Sequence, residues 1–364
     1  MSLSLEELRR YLASLYGADV SITSVRELGK AEEGAEAGEE LKGFGYGRPY
    51  LIEFSVGGER RSAVLETMRA DGFGHEHLSD RLQSLSLAHS TYNKLPRHAR
   101  SIDLGYFSRG GAMRSIGDIE EPFLLIERVE GSEYYRDLER IRAEGALGPL
   151  DLARCNALSG YLAGIHSVRG QSPGLYARRI RELVGHGECI MGLLDSYPAD
   201  PGFVSEGELE EIERMCVGWR WRLKGKGHRL CQVHGDFHPW NVLFREGTDF
   251  SVLDRSRGEW GEAADDVAAM TINYLFFSLQ AHGRLEGLFL QLYERFMREY
   301  LDLTGDEELL RVIQPFYAWR ALVVASPIWY PTISAEVRRK LFNFIRNALS
   351  TDELDIRDLN SYLR

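Results

Sequence analysis

The run Val233-His234-Gly235-Asp236-Phe237-His238-Pro239-Trp240-Asn241, followed by Val252-Leu253-Asp254, constrains this chain more than any other stretch. Asp236 and Asn241 lie five residues apart, and Asp254 follows Asn241 by thirteen. Between them the apolar Val242-Leu243-Phe244, the turn-forming Arg245-Glu246-Gly247-Thr248-Asp249 and the strand-like Phe250-Ser251-Val252-Leu253 predict a hairpin. Asp236 and Asn241 then sit on the loop entering the hairpin and Asp254 on the segment leaving it, which folds the three into one cluster. A carboxylate that orients and deprotonates a hydroxyl, with an amide and a second carboxylate that hold a divalent ion, are the roles phosphoryl transfer from a magnesium nucleotide requires. A lone His-Gly-Asp is a common turn sequence; its combination with Asn241, the hairpin and Asp254 is far more specific.

The segment resembles the catalytic segment of the aminoglycoside phosphotransferase and choline kinase superfamily, which is related in fold to the protein kinases. The kinase pattern H-R-D-x-x-x-x-N is matched here by His234-Gly235-Asp236 and Asn241. Downstream, the run from Asp254 through Gly261 to Asp266 resembles the family's aspartate, glycine turn and helix-opening aspartate. The match is dense over roughly residues 231–268 and thinner elsewhere. The resemblance implies an α+β, bilobal protein kinase-like fold. A small N-terminal antiparallel β-sheet lobe carries a packed helix, and a large C-terminal lobe is mainly helical. It implies Asp236 as catalytic base and Asn241 and Asp254 as magnesium ligands. His234, His238 and Asp266 support the loop, and Gly261 allows a tight turn. ATP and Mg2+ are the implied cofactors, and a small-molecule hydroxyl the implied acceptor.

Composition narrows the alternatives. The chain has 364 residues, enough for two domains or lobes. Its 44 Lys and Arg against 55 Asp and Glu leave a net charge of −11, which argues against nucleic acid as a partner. Cys155, Cys189, Cys216 and Cys231 are scattered without a C-x-x-C pair, so reduced cytoplasmic thiols are expected rather than zinc or disulfides. No secretory signal is visible at the N-terminus, where Ser4 and Glu7 make a capping-box pattern before an amphipathic helix. The longest apolar stretch, Phe316 to Pro331, carries Arg320 and Pro327 and falls short of the about 20 apolar residues a membrane span needs. It predicts a buried helix ended by proline.

A boundary near Gly131 divides an N-terminal nucleotide-binding lobe, residues 1–130, from a catalytic and substrate-binding helical lobe, residues 131–364, with nucleotide and magnesium expected in the cleft between them. In the first lobe, Pro49–Phe54 and Arg61–Met68 read as strands joined at Gly57-Gly58. Gly43, Gly45 and Gly47 precede them; glycines beside strands are commonly turns, and here they are assigned to a loop over nucleotide phosphates. Leu78–Leu95 reads as a helix packed on the small sheet through Leu78, Leu82, Leu85 and His89. Ile102–Phe107 and Pro122–Val129 read as the last two strands. The second resembles the family's hinge strand, which implies main-chain contacts from Glu127 and Val129 to adenine.

One departure stands out. Where the family carries a phosphate-binding lysine on the return strand, this chain has Val64-Leu65-Glu66. Two like charges about 4 Å apart repel by several kcal/mol at an effective dielectric near 20. Either Arg69 or another nearby cation supplies the charge, or Glu66 pairs with Arg81. Two further readings stay open: a degenerate kinase-like protein that binds nucleotide or a partner without turnover, and a kinase acting on a protein. Arg255 and Arg257 either touch phosphate or face solvent. Glu259 and Glu262 are candidates for recognising an amine. In the second lobe, helices are predicted over Leu150–Val168, Arg178–Leu194, Glu208–Leu223, Val267–Ala281, Leu285–Leu303, Glu307–Val324, Ala335–Leu349 and Asp352–Leu363.

Overall fold

The computed structural model describes residues 4–28, 47 and 49–364. The chain divides into two compact units, Met1–Ile126 and Glu127–Arg364. The fold is mixed: small antiparallel sheets with a packed helix in the first unit, and a mainly helical second unit.

The first unit opens with α1 (Leu5–Tyr16). The Ser4 side chain accepts the Glu7 N–H, and Gly17 ends the helix at φ +63°. Strands β1 (Val20–Glu27), β2 (Tyr50–Val56) and β3 (Glu59–Leu65) form an antiparallel sheet in that order. Gly57 and Gly58, both at positive φ, turn β2 into β3, as the Gly-Gly pair predicts. Leu8 and Leu12 of α1 pack with Val20, Ile52, Phe54 and Met113 to make the core of this unit.

Three expectations need correction here. The helix packed on the sheet is α1. The predicted helix forms as α2 (Leu78–Tyr92) but buries none of its residues, and Leu78 is 74 % exposed. Its leucine spacing gave it an apolar stripe, which the described residues do not bury. Strand β1 was not foreseen, because its register shifts between Ile22 and Ser24 and breaks the alternation that marks a strand. The late hairpin is β4 (Gly105–Phe107) with β5 (Met113–Ser115). Pro122–Val129 forms no strand, and Phe123, Leu124 and Leu125 are each at least 85 % exposed. A strand is a pairing, and this apolar run pairs with no other strand among the described residues.

The second unit is built from α3 (Tyr134–Glu144), α4 (Pro149–His166), α5 (Pro173–Gly185), α6 (Ile190–Asp195), α7 (Glu206–Leu223), α8 (Ala263–His282), α9 (Gly287–Thr304), α10 (Gln314–Ala325) and α11 (Ala335–Leu349). Helix α8 lies at its centre and is buried nearly all round, from Ala263 to Leu279. The predicted Arg178–Leu194 helix is two: α5 ends at Gly185, and Gly192 of α6 approaches the Gly187 backbone so closely that a Cβ would overlap it. The predicted Glu307–Val324 helix also splits, with Pro315 in the first turn of α10. Beyond Asp352 only a 3-10 turn forms, Leu359–Leu363.

Five short strands complete the unit: β6 (Ser132–Glu133), β7 (Leu230–Gln232), β8 (Val242–Phe244), β9 (Phe250–Val252) and β10 (Trp260–Glu262). β6, β8 and β9 pair in that order, and β7 pairs with β10. The predicted hairpin is β8–β9, with Val242 opposite Val252.

A buried ionic network clamps β10 to the chain after α9. Arg229 donates to Glu262 at 2.7 and 2.9 Å, to Asp306 at 2.8 Å and to Glu308 at 3.2 Å. Lys226 and His228 reach Glu308 at 2.6 and 3.0 Å. Slight burial pushes the Glu308 carboxyl up, but Lys226, His228 and Arg229 outweigh it and hold it at about 2 against an ordinary 4.5. A depressed folded pKa gives stability that is present above the unfolded value and lost as pH falls through the folded one. Glu308→Gln is therefore expected to lower the melting temperature by a few degrees at neutral pH. That gap should close as pH falls from about 4.5 towards 2. Calorimetric melting curves of both proteins across this window check it; a gap independent of pH contradicts it.

Candidate active site

The loop from His234 to Asn241 links β7 to β8, and its shape is set by three local devices. Gly235 adopts φ +87°, and a Cβ there would lie 3.2 Å from the Arg257 Cβ, so only glycine fits between His234 and Asp236. His238 accepts the Trp240 N–H on Nδ1 at 3.2 Å and so opens the 3-10 turn Pro239–Asn241. Asp266, in the first turn of α8, accepts the main-chain N–H groups of His234 and Gly235, both at 2.7 Å. Asp266 is fully buried and also lies 3.1 Å from His166 Nε2, whose Nδ1 is 2.8 Å from the Tyr300 hydroxyl. Burial alone would raise its pKa; His166, His234 and the loop N–H groups outweigh it and lower it, so the brace stays ionised.

Asn241 donates from Nδ2 to the Asp236 carbonyl at 3.0 Å, which leaves its Oδ1 as the atom able to bind a cation. Its own main-chain carbonyl accepts the Leu253 N–H at 2.9 Å, so Asp254 follows directly from the residue bonded to Asn241. Asp254 is exposed and adopts φ +57°, a left-handed backbone that costs a non-glycine residue about 1–3 kcal/mol. A cavity of about 340 Å³ is lined by Tyr161, Val233, His234, Leu253 and Asp254, among others. The His234 imidazole accepts the Asp236 N–H on Nδ1 at 3.2 Å, and burial pushes its pKa down.

The Asp236 carboxylate is the most constrained group of the loop. Oδ1 accepts from Arg320 Nη1 of α10, and Oδ2 lies 3.6 Å from His238 Nε2. Burial would push its pKa up, but Arg320, His238 and Arg257 outweigh that and hold it well below the usual carboxylate range. Trp240, next to Asn241, stacks on Tyr135 at 5.1 Å and meets the Tyr330 ring edge at 6.0 Å. Burial and the nearby Asp236 push the Tyr330 phenol up to about 12.

Other nominated residues fall elsewhere. Gly43 and Gly45 lie outside the described residues. Gly47 forms an isolated bridge with Met68 and comes so close to the Thr67 carbonyl that a Cβ would overlap it. Glu127 is exposed, and Val129 lines a second cavity, of about 480 Å³, with Tyr161, Phe250 and Val252. Gly261 is not in a turn but in β10, where a Cβ would meet Val233 at 2.9 Å. Glu262 is no amine receptor: it is buried against Arg229 and accepts the Tyr176 hydroxyl at 2.7 Å. Arg255 donates to the Val233 carbonyl at 2.9 and 3.0 Å, where the loop begins, and Arg257 pairs with Glu188 at 3.0 Å. Glu66 is exposed just beyond β3, and the Arg81 guanidinium bonds the His75 and Glu76 carbonyls.

Arg320 and Asp265 were not nominated from the sequence. The signal was there: one charged residue, Arg320, in the otherwise uncharged α10, and a doubled aspartate, Asp265-Asp266, at the start of α8. A buried arginine requires a partner.

Residues 104–304, more than half of the chain, match the Phosphotransferase enzyme family. The chain belongs to that family, and is of the phosphotransferase class. No curated protein matches it in sequence. Among solved structures it is similar to a glucosamine kinase in complex with glucosamine, ADP and inorganic phosphate (17 % identity, 63 % of this chain, TM-score 0.32), spanning 56 % of that protein's length. It is similar to an ethanolamine kinase of Plasmodium vivax (15 % identity, 86 % of this chain and 78 % of that one, TM-score 0.35). It is also similar to an amicoumacin kinase in complex with AMP-PNP and Ca2+ (13 % identity, 85 % and 89 %, TM-score 0.39). No helix among the described residues is long and apolar enough to cross a membrane.

Proposed function

We propose that the chain transfers the γ-phosphoryl group of ATP to a hydroxyl of a small molecule, aminoglycoside-, choline- or sugar-like, with Asp236 as the base. The observation that carries this reading is the braced loop. Asp266 holds the His234 and Gly235 N–H groups, and Asn241 Nδ2 holds the Asp236 carbonyl, so a carboxylate and an amide are fixed beside each other. In the reaction the acceptor oxygen bonds to the γ-phosphorus, the bond to the β–γ bridging oxygen breaks, and ADP leaves. The hydroxyl proton passes to Asp236. Its strongly lowered pKa suits a transfer in which the base orients the hydroxyl and takes the proton late.

The donor set fits magnesium. Asn241 Oδ1 and the Asp254 carboxylate are hard oxygen ligands, and no group of three His, Cys, Asp or Glu among the described residues competes for a metal. Magnesium takes one or two protein ligands and completes its shell with phosphate and water oxygens. When bound it would neutralise charge on the terminal phosphates. The proposal extends to main-chain contacts from Glu127 and Val129 to adenine, and to Gly43, Gly45 and Gly47 as the phosphate loop. His238 supports Asp236 from its Oδ2 side. The rings of Trp240, Tyr135 and Tyr330 support an organic acceptor. Four buried free cysteines support a reducing, cytoplasmic setting.

Glu66 favours a second reading, nucleotide binding without turnover. A thermal-shift series separates the two when run with ADP formation. Mg-ATP at about 100 times its dissociation constant adds about 2.7 kcal/mol to a protein that binds it only when folded. We expect wild type to gain several degrees with Mg-ATP, and Asp254→Ala to lose the metal-dependent part. Glu66→Lys should gain more than wild type if that position is the vacated phosphate anchor. A wild type indifferent to Mg-ATP sinks both readings, and a shift without ADP formation leaves the second.

A further inference from the structure

We infer that Arg320, anchored by Asp265, is a positioning residue for phosphoryl transfer. It commits one oxygen of the Asp236 carboxylate and so presents the other, Oδ2, to the acceptor hydroxyl. The inference rests on Asp236 being the base. Arg320 is 6 % exposed and uses its planar fork on three acceptors. Nη1 donates to Asp236 Oδ1, Nη2 to the Gly235 carbonyl at 2.9 Å and to Asp265 Oδ1 at 2.5 Å, and Nε to Asp265 Oδ1 at 3.2 Å. The guanidinium lies over the Trp319 ring, 3.8 Å from its centroid, and the Trp319 indole N–H is itself held by the Glu188 carbonyl at 3.2 Å.

This is more than neutralisation. Asp265 already pairs with Arg320 through Nε and Nη2, while burial raises the Asp265 pKa against the pull of Arg320. The Nη1 arm is then free to fix a second carboxylate, and that carboxylate is Asp236. The Gly235 carbonyl belongs to the same loop, so one rigid group grips both the side chain and the peptide before it. An ammonium cannot reproduce this, because a lysine is a point charge without a fork. A base displaced by about 1 Å loses on the order of 10²-fold in rate.

The test uses the full chain and follows ADP formation from Mg-ATP with water as the acceptor hydroxyl. Arg320→Ala is expected to lose about 10²-fold in kcat, with KM for Mg-ATP little changed. Millimolar guanidinium should restore part of that loss, and methylammonium should not. Arg320→Lys, which keeps the charge, tests the same point if the alanine variant does not fold, and should also lose kcat without losing nucleotide affinity. Asp265→Asn should lose kcat less severely than Arg320→Ala. An Arg320→Lys variant with wild-type kcat, or an Arg320→Ala variant that melts earlier but turns over normally per folded molecule, overturns the inference. Asp236→Asn is run alongside. If it is inactive while the Arg320 variants are normal, only the positioning role fails. If Asp236→Asn turns over like wild type, or wild type forms no ADP, the reading beneath fails and this inference with it.

Discussion

Asp236→Asn is expected to lower ADP formation from Mg-ATP by about 10²–10⁴-fold, the usual contribution of a positioned general base. The substitution keeps the side chain's shape and a carbonyl oxygen for Arg320. That guanidinium still has Asp265 and the Gly235 carbonyl, so the protein should stay folded. The melting temperature should move by no more than a few degrees, and KM for Mg-ATP by no more than a few-fold. The loss then belongs to the chemical step, the signature of an interaction used in the transition state. Stopped assays with purified wild type and variant decide it: equal rates remove Asp236 from the mechanism.

The second large effect is structural and then catalytic. Asp266→Ala removes the acceptor for two buried main-chain N–H groups and the partner of the buried His166 Nε2. Breaking such a buried charged set costs about 3–5 kcal/mol. For a unit of this size that corresponds to a melting temperature lower by on the order of 10 °C. The loop geometry should go with it, so activity per folded molecule should fall as well. Asp266→Asn, which can still accept one N–H, should fall between wild type and alanine in both measurements. Melting curves with ADP formation on all three proteins check this, and an Asp266→Ala protein as stable and active as wild type refutes the brace.

Family and fold class were legible because their signal is local. The His-Gly-Asp loop, its asparagine, the hairpin and the next aspartate lie within one short stretch, and hairpin pairing is dictated by turn and alternation. The long helices were legible because packing in the second unit imposes a periodic apolar face, as in α4, which packs on α9, with Leu158 and Leu162 fully buried. What failed depended on partners distant in sequence. Among the described residues, the apolar run Phe123–Ile126 has strand composition without a strand beside it, and α2 has a leucine stripe that stays unburied. β1 escaped because a bulge spoils its alternation. At the candidate site the same division holds. Asp236, Asn241 and Asp254 could be nominated from spacing. Arg320 reaches Asp236 across 84 residues, and no local pattern announces that contact. Glu262 was misread for the same reason: its buried partner, Arg229, lies 33 residues away, in the 3-10 turn that precedes β7.

We propose that Asn241 and Asp254 hold the nucleotide's metal beside Asp236. A crystal of the chain grown with Mn2+ and a non-hydrolysable ATP analogue tests it most directly, through the anomalous signal of manganese. We expect a peak within about 2.0–2.3 Å of both Asn241 Oδ1 and an Asp254 oxygen, with the terminal phosphate facing Asp236 Oδ2. Manganese and nucleotide bound at another set of side chains, with Asn241 and Asp254 left in solvent, would contradict it.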